Sequence, residues 1–252
     1  MGLVVNNKPA GFLLVERRNE VHYVCTTFYL QPDARTMAFG RRLLERALEE
    51  AKDEGAAHFY ISYFQDHNET AFFKELYQSL GFDPSGYKRH TFVMYRDEVG
   101  KAIEQIGIKY SRYLNSYRTK TRTFQQLDPE TYKRVISQRG TEVPDNFYPF
   151  TPAYSSECSA MIFRDGDPAG WIVFEANGEQ ALYINQLFIK EKYRNNGLFV
   201  PLLIFAYQNL PKTIKHLFFY VNSDNVKMLG LMRLFADCHT RQDIMVEMTR
   251  AC

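Results

Sequence analysis

Runs of apolar residues alternate between the period of strands and the period of helices along the first hundred residues. Helical spacing is clearest for Leu43, Leu44, Ala47 and Leu48, which fall on one face of a helix. The patterns predict strands at 3–5, 11–16, 21–30, 58–64 and 91–96, and helices at 36–54 and 68–80. Strands and helices that alternate in this way indicate an α/β unit.

A second copy of this plan follows at a constant offset. The segment Asp-Pro-Ala-Gly-Trp at 167–171 repeats Lys-Pro-Ala-Gly-Phe at 8–12, 159 positions later, and the same offset separates Arg194 from Arg35. Around these landmarks the patterns predict strands at 181–189, 216–221 and 243–249, and helices at 198–209 and from about 225. Two landmarks at one offset, in the same structural order, indicate an internal duplication.

The predicted organisation is a first lobe at 1–97, a connecting helix or linker at 98–121 and a second lobe at 122–252. The second lobe opens with a leader at 122–161, which holds a strand and a helix that begins at Pro129, and the first repeat has no counterpart to it. Weak periodicity and a modest charge excess favour a solvated connector over a nucleic-acid-binding segment. The charged and aromatic residues of this connector include Tyr110, Tyr113, Tyr117, Arg118 and Lys120.

Composition narrows the classes of partner. The net charge of +2 indicates no polyanionic partner, and no apolar segment reaches the roughly 18 residues of a membrane-spanning helix. The four cysteines, Cys25, Cys158, Cys238 and Cys252, show neither paired spacing nor a metal-ligand pattern. We therefore predict a cytoplasmic protein with reduced thiols and without a metal, nucleic-acid or membrane partner.

The turn between the strand at 21–30 and the helix that follows it is a candidate phosphate site. It holds one basic residue, Arg35, and two small residues, Ala38 and Gly40. A helix start of this kind exposes unpaired backbone N–H groups at the positive end of the helix dipole, and that geometry binds phosphate. An ordinary strand-to-helix turn fits the stretch equally well when it is taken alone.

Two segments of the first repeat together resemble the GNAT N-acetyltransferase superfamily. Arg35-x-x-Ala38-x-Gly40 is similar to the superfamily's acyl-CoA pyrophosphate loop, Gln/Arg-x-x-Gly-x-Gly/Ala. About 28 residues further on, the segment from Asn68 to Phe82 resembles its second signature, Asn-x-x-Ala-x-x-Leu/Phe-Tyr-x-x-x-Gly-Phe. The combination, with a helix and a strand between the motifs, is stronger evidence than either motif alone.

The resemblance implies an α/β fold of two tandem GNAT-like lobes, each a mixed, mostly antiparallel twisted sheet flanked by helices. It implies acetyl-CoA or another acyl-CoA as co-substrate, and N-acyl transfer to a small amine or a peptide amine. The thioester would lie in a gap between the strands at 21–30 and 58–64, with Asn68 on the pantetheine arm and Tyr77 donating a proton to the departing thiolate. A structural tyrosine at 77 and a surface arginine at 35 are the alternatives. The positions that the resemblance assigns to the CoA diphosphate are Arg35, Thr36, Met37, Ala38, Phe39, Gly40 and Arg41.

The group that accepts the proton of the attacking amine is left open, because the strand at 21–30 contains no Asp or Glu. Glu20, His22, Cys25 and Tyr29 are the polar options. Cys25 as an acyl-carrying nucleophile is the weaker alternative, since nothing near it in the sequence activates the thiol.

The second repeat departs from both motifs. Arg194 and Gly197 keep the cofactor-binding positions of the loop, but Phe199 takes the place of its last small residue. Leu234 stands where the tyrosine is expected, and Asp-Cys-His at 237–239 replaces Leu-Gly-Phe. We therefore expect the first repeat to bind acyl-CoA and catalyse, and the second to supply scaffold and acceptor contacts.

Acyl-CoA-dependent N-acyl transfer is the leading interpretation of function. The absent leader and the absent carboxylate also fit a non-catalytic acyl-CoA-binding or regulatory module, and a structural relic that binds no CoA is a third hypothesis. The acceptor amine is not identified by the sequence. A leader supplied by another subunit, and with it a homodimer, is left open.

Overall fold

The computed structural model describes residues 1–65, 67–109, 121–232 and 239–252. Packing divides the chain into two units. Unit 1 comprises Met1–Thr91, Val221–Val226 and Asp243–Cys252, and unit 2 comprises Phe92–Tyr220 and Lys227–Gln242. The connector residues Tyr110, Tyr113, Tyr117, Arg118 and Lys120, and the second-repeat positions Leu234, Asp237 and Cys238, lie outside the described residues.

The first part of the chain confirms the predicted alternation of strands and helices. It forms β1 (Gly2–Val5), β2 (Lys8–Arg17), β3 (His22–Leu30), α1 (Met37–Asp53), β4 (His58–Gln65), α2 (Thr70–Ser79) and β5 (Asp83–Tyr95). α1 buries the stripe that its apolar spacing predicts, from Leu43 to Ala51, against one face of the sheet. Gly55, at a φ of +89°, follows its C-terminus in the left-handed conformation that glycine adopts without strain.

The sheet of unit 1 has the strand order β1-β2-β3-β4-β11-β5, in which β11 (His239–Ala251) comes from the C-terminal end of the chain. β11 pairs antiparallel with β4 from Ile244 opposite Gln65 to Ala251 opposite His58. The sequence analysis groups residues 243–252 with the second repeat, whereas in the structure they complete the sheet of unit 1.

β5 begins eight residues before the strand that the apolar spacing predicts at 91–96. Its first half, from Asp83 to His90, is mostly exposed and carries Pro84 and Gly86, so it shows no apolar alternation. The side chains of this half show no alternation of buried and exposed positions. We therefore attribute its extended conformation to pairing with the neighbouring strands of the sheet. The predicted end also moves, since Arg96 is the first residue of α3 (Arg96–Lys109).

Unit 2 contains the last residues of β5 and the strands of the second repeat, in the order β5-β10-β9-β8-β7-β6. Its elements are β6 (Thr121–Thr123), α4 (Pro129–Ser137), β7 (Ala160–Arg164), β8 (Asp167–Ala176), β9 (Ala181–Ile189), α5 (Phe199–Gln208), β10 (His216–Asn222) and α6 (Val226–Met232), of which the last residues of β10 and Val226 belong to unit 1. The predicted leader therefore does hold a strand and a helix that begins at Pro129. Within the described residues, no helix combines the length and the apolar character that crossing a bilayer requires.

The strand register confirms the internal duplication. Gly11 pairs with Leu30 in unit 1, and Gly170 pairs with Ile189 in unit 2, each 159 positions later. A Cβ on Gly11 would lie 2.6 Å from the carbonyl oxygen of Tyr29, and a Cβ on Gly170 would lie 2.5 Å from that of Phe188. The same close backbone approach is therefore built into both repeats, and only glycine permits it.

Candidate functional site

A gap opens between the two central strands of unit 1. β3 and β4 run parallel and pair only at their beginnings, from His22 opposite His58 to Val24 opposite Tyr60. Beyond Val24, β3 stays paired with β2, and β4 stays paired with β11 as far as Gln65. The second halves of β3 and β4 therefore border the gap that the sequence analysis expects at this place.

The loop after β3 presents two backbone N–H groups that make no hydrogen bond within the described residues. A short 3-10 turn, Pro32–Ala34, leads to Thr36, whose hydroxyl oxygen caps α1 by accepting a hydrogen bond from the N–H of Phe39 at 3.3 Å. In the described part of the chain, the N–H groups of Met37 and Ala38 have no recorded acceptor. They lie at the N-terminus of a 17-residue helix, where the helix dipole favours an anion.

The side chain of Arg35 joins the two motifs. Its Nε donates to the carbonyl oxygen of Leu30 at 3.1 Å, and its Nη1 pairs with the carboxylate of Glu69. Glu69 is the N-cap residue of α2 and directly follows Asn68, so the loop and the second motif meet through this ion pair. Arg35 thus fixes the position of the loop. Sequence reasoning missed Glu69, although its place in the second motif was a usable signal.

The last small residue of the loop faces the core. A Cβ on Gly40 would lie 2.6 Å from Cδ2 of Leu76, so glycine lets α1 approach α2 closely. The next residue, Arg41, turns its guanidinium to the hydroxyl of Ser79 at 2.9 Å, at the C-terminal end of α2. Of the seven loop positions, Met37 and Ala38 therefore keep backbone N–H groups available to a ligand. The side chains of Arg35 and Arg41 are instead occupied by contacts within the protein.

Tyr77 is buried beside the gap. Its ring on α2 lies 6.3 Å from that of Phe28 on β3 and 6.4 Å from that of Tyr63 on β4, so it contacts both bordering strands. Burial raises the pKa of Tyr77 well above its usual value, and the neighbouring Cys25 thiol acts in the same direction. The hydroxyl therefore keeps its proton at neutral pH, as a proton donor must.

Cys25 is a protonated thiol in this environment. Burial raises its pKa to about 12, and the carbonyl oxygen of Thr27 accepts from its Sγ at 3.5 Å. A thiol whose pKa is raised in this way is a poor nucleophile at neutral pH, which disfavours the acyl-carrying alternative. Of the other polar candidates, Glu20 lies in the turn that precedes β3, His22 lies at the paired start of β3, and Tyr29 lies near its end.

Asn68 lies exposed just before α2, and within the described residues its side-chain amide has no recorded hydrogen bond. It is therefore available to a ligand at the end of β4, next to the Arg35–Glu69 pair. The structure thus brings Asn68 to the same end of the gap as the loop, and it places Tyr77 within the core that borders the gap.

The second unit keeps the arginine contact and changes the helix start. Nε of Arg194 donates to the carbonyl oxygen of Ile189 at 3.0 Å, five residues earlier, as Arg35 does in unit 1. α5 begins only at Phe199, after Gly197 at a φ of +68°, whereas the offset from Met37 would start it three residues earlier. Leu198, its N-cap residue, supplies no side-chain cap. In the described residues Arg194 has no recorded carboxylate partner.

The fold and the site first define a class: an α/β protein of two homologous units, one of which has a helix start beside a gap between two strands. The model of the Acetyltransferase (GNAT) family matches residues 1–82 and 122–236, and the chain therefore belongs to that family. At this level the chain is a GNAT-type acetyltransferase, and the reaction of the family is acyl-CoA-dependent N-acyl transfer. The tandem GNAT prediction is thereby confirmed.

Several solved structures share this fold at low sequence identity. A tandem GNAT protein from the clavulanic acid biosynthesis pathway, solved without AcCoA, is 12% identical at a TM-score of 0.68, over 98% of this chain and 80% of that one. A GCN5-related N-acetyltransferase from Sphaerobacter thermophilus is 14% identical at 0.63, over 98% and 78%. One from Kribbella flavida is 12% identical at 0.55, over 95% and 87%. A comparison with curated proteins gives no significant match.

Proposed function

We propose that this protein transfers an acetyl group from acetyl-CoA to a small amine or a peptide amine, and that unit 1 is the lobe that holds acetyl-CoA. The observation that carries the proposal is the pair of free N–H groups, on Met37 and Ala38, at the start of α1 and next to the gap between β3 and β4. A cytoplasmic location and a homodimer remain part of the same proposal.

The loop fits a CoA diphosphate by its chemistry. Two backbone donors and a helix dipole converge where Ala38 is exposed, so phosphate oxygens can approach without displacing an internal hydrogen bond. Arg35 positions this loop through its hydrogen bond to the carbonyl oxygen of Leu30 and its ion pair with Glu69. Asn68 supplies an amide for the pantetheine arm at the same end of the gap.

Tyr77 supplies the proton in this proposal. When acetyl-CoA is bound, it provides a thioester whose carbonyl carbon the amine attacks. The raised pKa of Tyr77 keeps its hydroxyl protonated, so the group can protonate the sulfur that leaves as a thiolate. The surrounding rings of Phe28, Phe73 and Phe82 pack against the ring of Tyr77 and hold its orientation.

Titration of acetyl-CoA by calorimetry into Arg35→Ala and Arg194→Ala tests the lobe assignment. Arg35→Ala removes a hydrogen bond and an ion pair that fix the loop, and we expect about tenfold weaker binding. Arg194→Ala removes the matched contact of unit 2, and we expect a change of less than about twofold. Equal losses in both variants would contradict the assignment of acetyl-CoA to unit 1.

A non-catalytic acyl-CoA-binding module is the second candidate, because β3 carries no Asp or Glu that could deprotonate an amine. Release of free thiol from acetyl-CoA, measured across a library of amines and short peptides, separates the two functions. Turnover with any acceptor supports the transferase. Binding of acetyl-CoA without thiol release for any acceptor supports the module.

A further inference from the structure

A histidine and a carboxylate meet just beyond the ladder that joins β4 and β11 in unit 1. The ladder ends where Ile244 faces Gln65, and past this point Nε2 of His67 lies 3.1 Å from Oδ1 of Asp243. An ionised carboxylate only accepts hydrogen bonds, so Nε2 of His67 carries the hydrogen of this bond. The two side chains are 35% and 16% exposed, and water therefore screens the pair only in part. A side-chain contact thus extends the connection between the two strands.

The turn that carries His67 is also held on the side of β4. The ring of His67 stacks on that of Phe64 at 5.2 Å, and the backbone N–H of His67 donates to the hydroxyl oxygen of Thr70 at 3.0 Å. The same hydroxyl donates to the carbonyl oxygen of Phe64 at 2.7 Å. These contacts close the turn between β4 and α2, and the contact with Asp243 ties the closed turn to β11.

The three consecutive residues 67–69 of this turn have three different surroundings. His67 contacts Asp243 on β11, and Glu69 pairs with Arg35 in the loop before α1. Asn68 lies exposed between them, and among the described residues its amide has no recorded hydrogen bond. The direction of this amide therefore depends on the backbone that carries it, and that backbone is anchored on both sides.

We propose that the pair of His67 and Asp243 positions Asn68 for the pantetheine arm of acetyl-CoA, so that the last strand of the chain takes part in the site of unit 1. The inference rests on the proposed function, which assigns the arm to Asn68. Asp243 lies outside residues 1–82 and 122–236, the regions that the family model matches, so the family match does not imply this contact. His67 and Asp243 act through Asn68 and are therefore positioning residues.

The place of His67 favours this role over that of the proton acceptor in the reaction. Thr70 and Tyr77 are the first and eighth residues of α2, and they lie about 10 Å apart along the helix axis. His67 precedes Thr70, whereas Tyr77 is the proposed donor to the sulfur. A proton acceptor has to lie within hydrogen-bond reach of the amine that attacks the same thioester. The pair thus lies at the arm and away from the reacting atoms.

Calorimetric titration of acetyl-CoA into variants of the full chain tests the pair. Asp243→Ala removes the anchor, and we expect a dissociation constant about fivefold higher than that of the wild-type protein. Asp243→Asn keeps an oxygen that accepts from Nε2 of His67, so its dissociation constant should stay within about twofold of wild type. Glu247→Gln is the matched control, because this carboxylate on the same strand accepts from the hydroxyl of Ser85 at 2.9 Å, and its loss should leave binding unchanged.

A double-mutant cycle with Asn68 separates positioning from a general loss of structure. If Asp243 acts through Asn68, then Asp243→Ala should change the dissociation constant of Asn68→Ala by less than about 1.5-fold. ADP carries a diphosphate without the pantetheine arm, so it should bind equally to the wild-type protein and to Asp243→Ala. A general loss of structure in unit 1 would weaken the binding of ADP as well.

His67→Ala removes the same pair from the other side and should reproduce each result of Asp243→Ala, so it decides the matter if Asp243→Ala does not fold. Additive losses in the cycle would overturn the inference, and so would unchanged acetyl-CoA binding in His67→Ala. Both of these results leave the proposed function in place, because the wild-type protein binds acetyl-CoA in them. Failure of the wild-type protein to bind acetyl-CoA would instead overturn the proposed function, and this inference with it.

Discussion

The carboxylate of Glu69 pairs with the guanidinium of Arg35, which is itself bonded to the carbonyl oxygen of Leu30. Glu69 is the N-cap residue of α2, and Arg35 lies in the loop that precedes α1. One ion pair therefore fixes the spacing between the two helix starts that flank the gap of unit 1.

Neutralising Glu69 should weaken acetyl-CoA binding. Glu69→Gln keeps the size of the side chain and removes its charge, so the loop loses a contact and its N–H groups are less well positioned. A partly exposed ion pair contributes up to about 1 kcal/mol, so we expect a dissociation constant about two- to fivefold higher by calorimetry.

Glu50→Gln is the matched control for that variant. Glu50 pairs with Arg46 at 3.0 Å near the other end of α1, and its neutralisation should leave acetyl-CoA binding unchanged. Tighter binding by Glu69→Gln would contradict a positioning role for Arg35, because a released guanidinium would then be the direct ligand of the diphosphate.

Removal of the Tyr77 hydroxyl should slow turnover without affecting acetyl-CoA binding. In Tyr77→Phe the aromatic cluster stays filled and only the proton donor is lost, so we expect kcat to fall about 100-fold or more. Because the pKa of Tyr77 is raised, deprotonation of this hydroxyl should not lower the wild-type rate below about pH 10.

Tyr23→Phe tests whether any buried tyrosine hydroxyl of unit 1 would give the same result. The hydroxyl of Tyr23 donates to the carboxylate of Glu54 at 2.8 Å, on the same side of the sheet but away from the loop. Its loss should leave kcat nearly unchanged. A kcat for Tyr77→Phe within twofold of wild type would remove Tyr77 from the proposed chemistry.

A methyl group at Gly40 should destabilise unit 1. In Gly40→Ala the new Cβ meets Cδ2 of the fully buried Leu76 at 2.6 Å, and we expect a loss of about 1–3 kcal/mol, seen as a lower Tm by calorimetry. Gly40→Ala combined with Leu76→Val should be less destabilised than the sum of the single variants.

Gly230→Ala provides the comparison at a helical glycine without a close neighbour. Nothing lies within 4 Å of a Cβ at Gly230 in α6, so alanine there should be neutral or stabilising by roughly 0.5–1 kcal/mol. An unchanged Tm in Gly40→Ala would show that Leu76 moves aside freely.

Glu142 should make the stability of unit 2 sensitive to acid. Hydrogen bonds from Lys192 and from the buried Lys190, both at 2.9 Å, lower the pKa of Glu142 to about 2. The carboxylate is therefore stabilising above the ordinary glutamate pKa of about 4.3, and this contribution is lost as the pH falls through about 2.

Glu142→Gln removes that contribution and leaves the ammonium group of Lys190 with only Gln138 as a recorded partner among the described residues. Because the carboxylate is 41% exposed, we expect a loss of only about 1–2 kcal/mol at pH 7 by denaturant unfolding. The difference from wild type should shrink between about pH 4 and pH 2. The same difference at both pH values would contradict the ion pair, and Glu130→Gln, at an exposed pair, should change little.

Local sequence patterns predict the helices and the duplication well. α1 spans 37–53 against a prediction of 36–54, because Leu43, Leu44, Ala47 and Leu48 all bury on one face. The offset between Arg35 and Arg194 is confirmed by equal side-chain contacts five residues back. Such features depend on residues close together in the chain, and the sequence therefore contains their signals.

Contacts between distant residues carry no such signal. The alternation of apolar residues around Met248 predicts a strand, but it does not predict that this strand pairs with β4. The same alternation would bury the same side chains in the sheet of unit 1 or in that of unit 2. The pair formed by Arg35 and Glu69 joins residues 34 positions apart, and the only local signal for it is the place of Glu69 directly after Asn68 in the second motif. Unpaired N–H groups at the start of α1 follow from the helix start itself, and within the described residues those of Met37 and Ala38 make no hydrogen bond.

The pairing of β4 with β11 also sets an order of events during synthesis. Ser62 and Glu247 face each other in this ladder, although they are 185 positions apart in a chain of 252 residues. A ribosome that has already released β1 to β4 still has to translate all of unit 2 before the strand beside β4 exists. Unit 1 therefore waits with an unpaired strand edge, and its sheet closes only when the last strand has emerged.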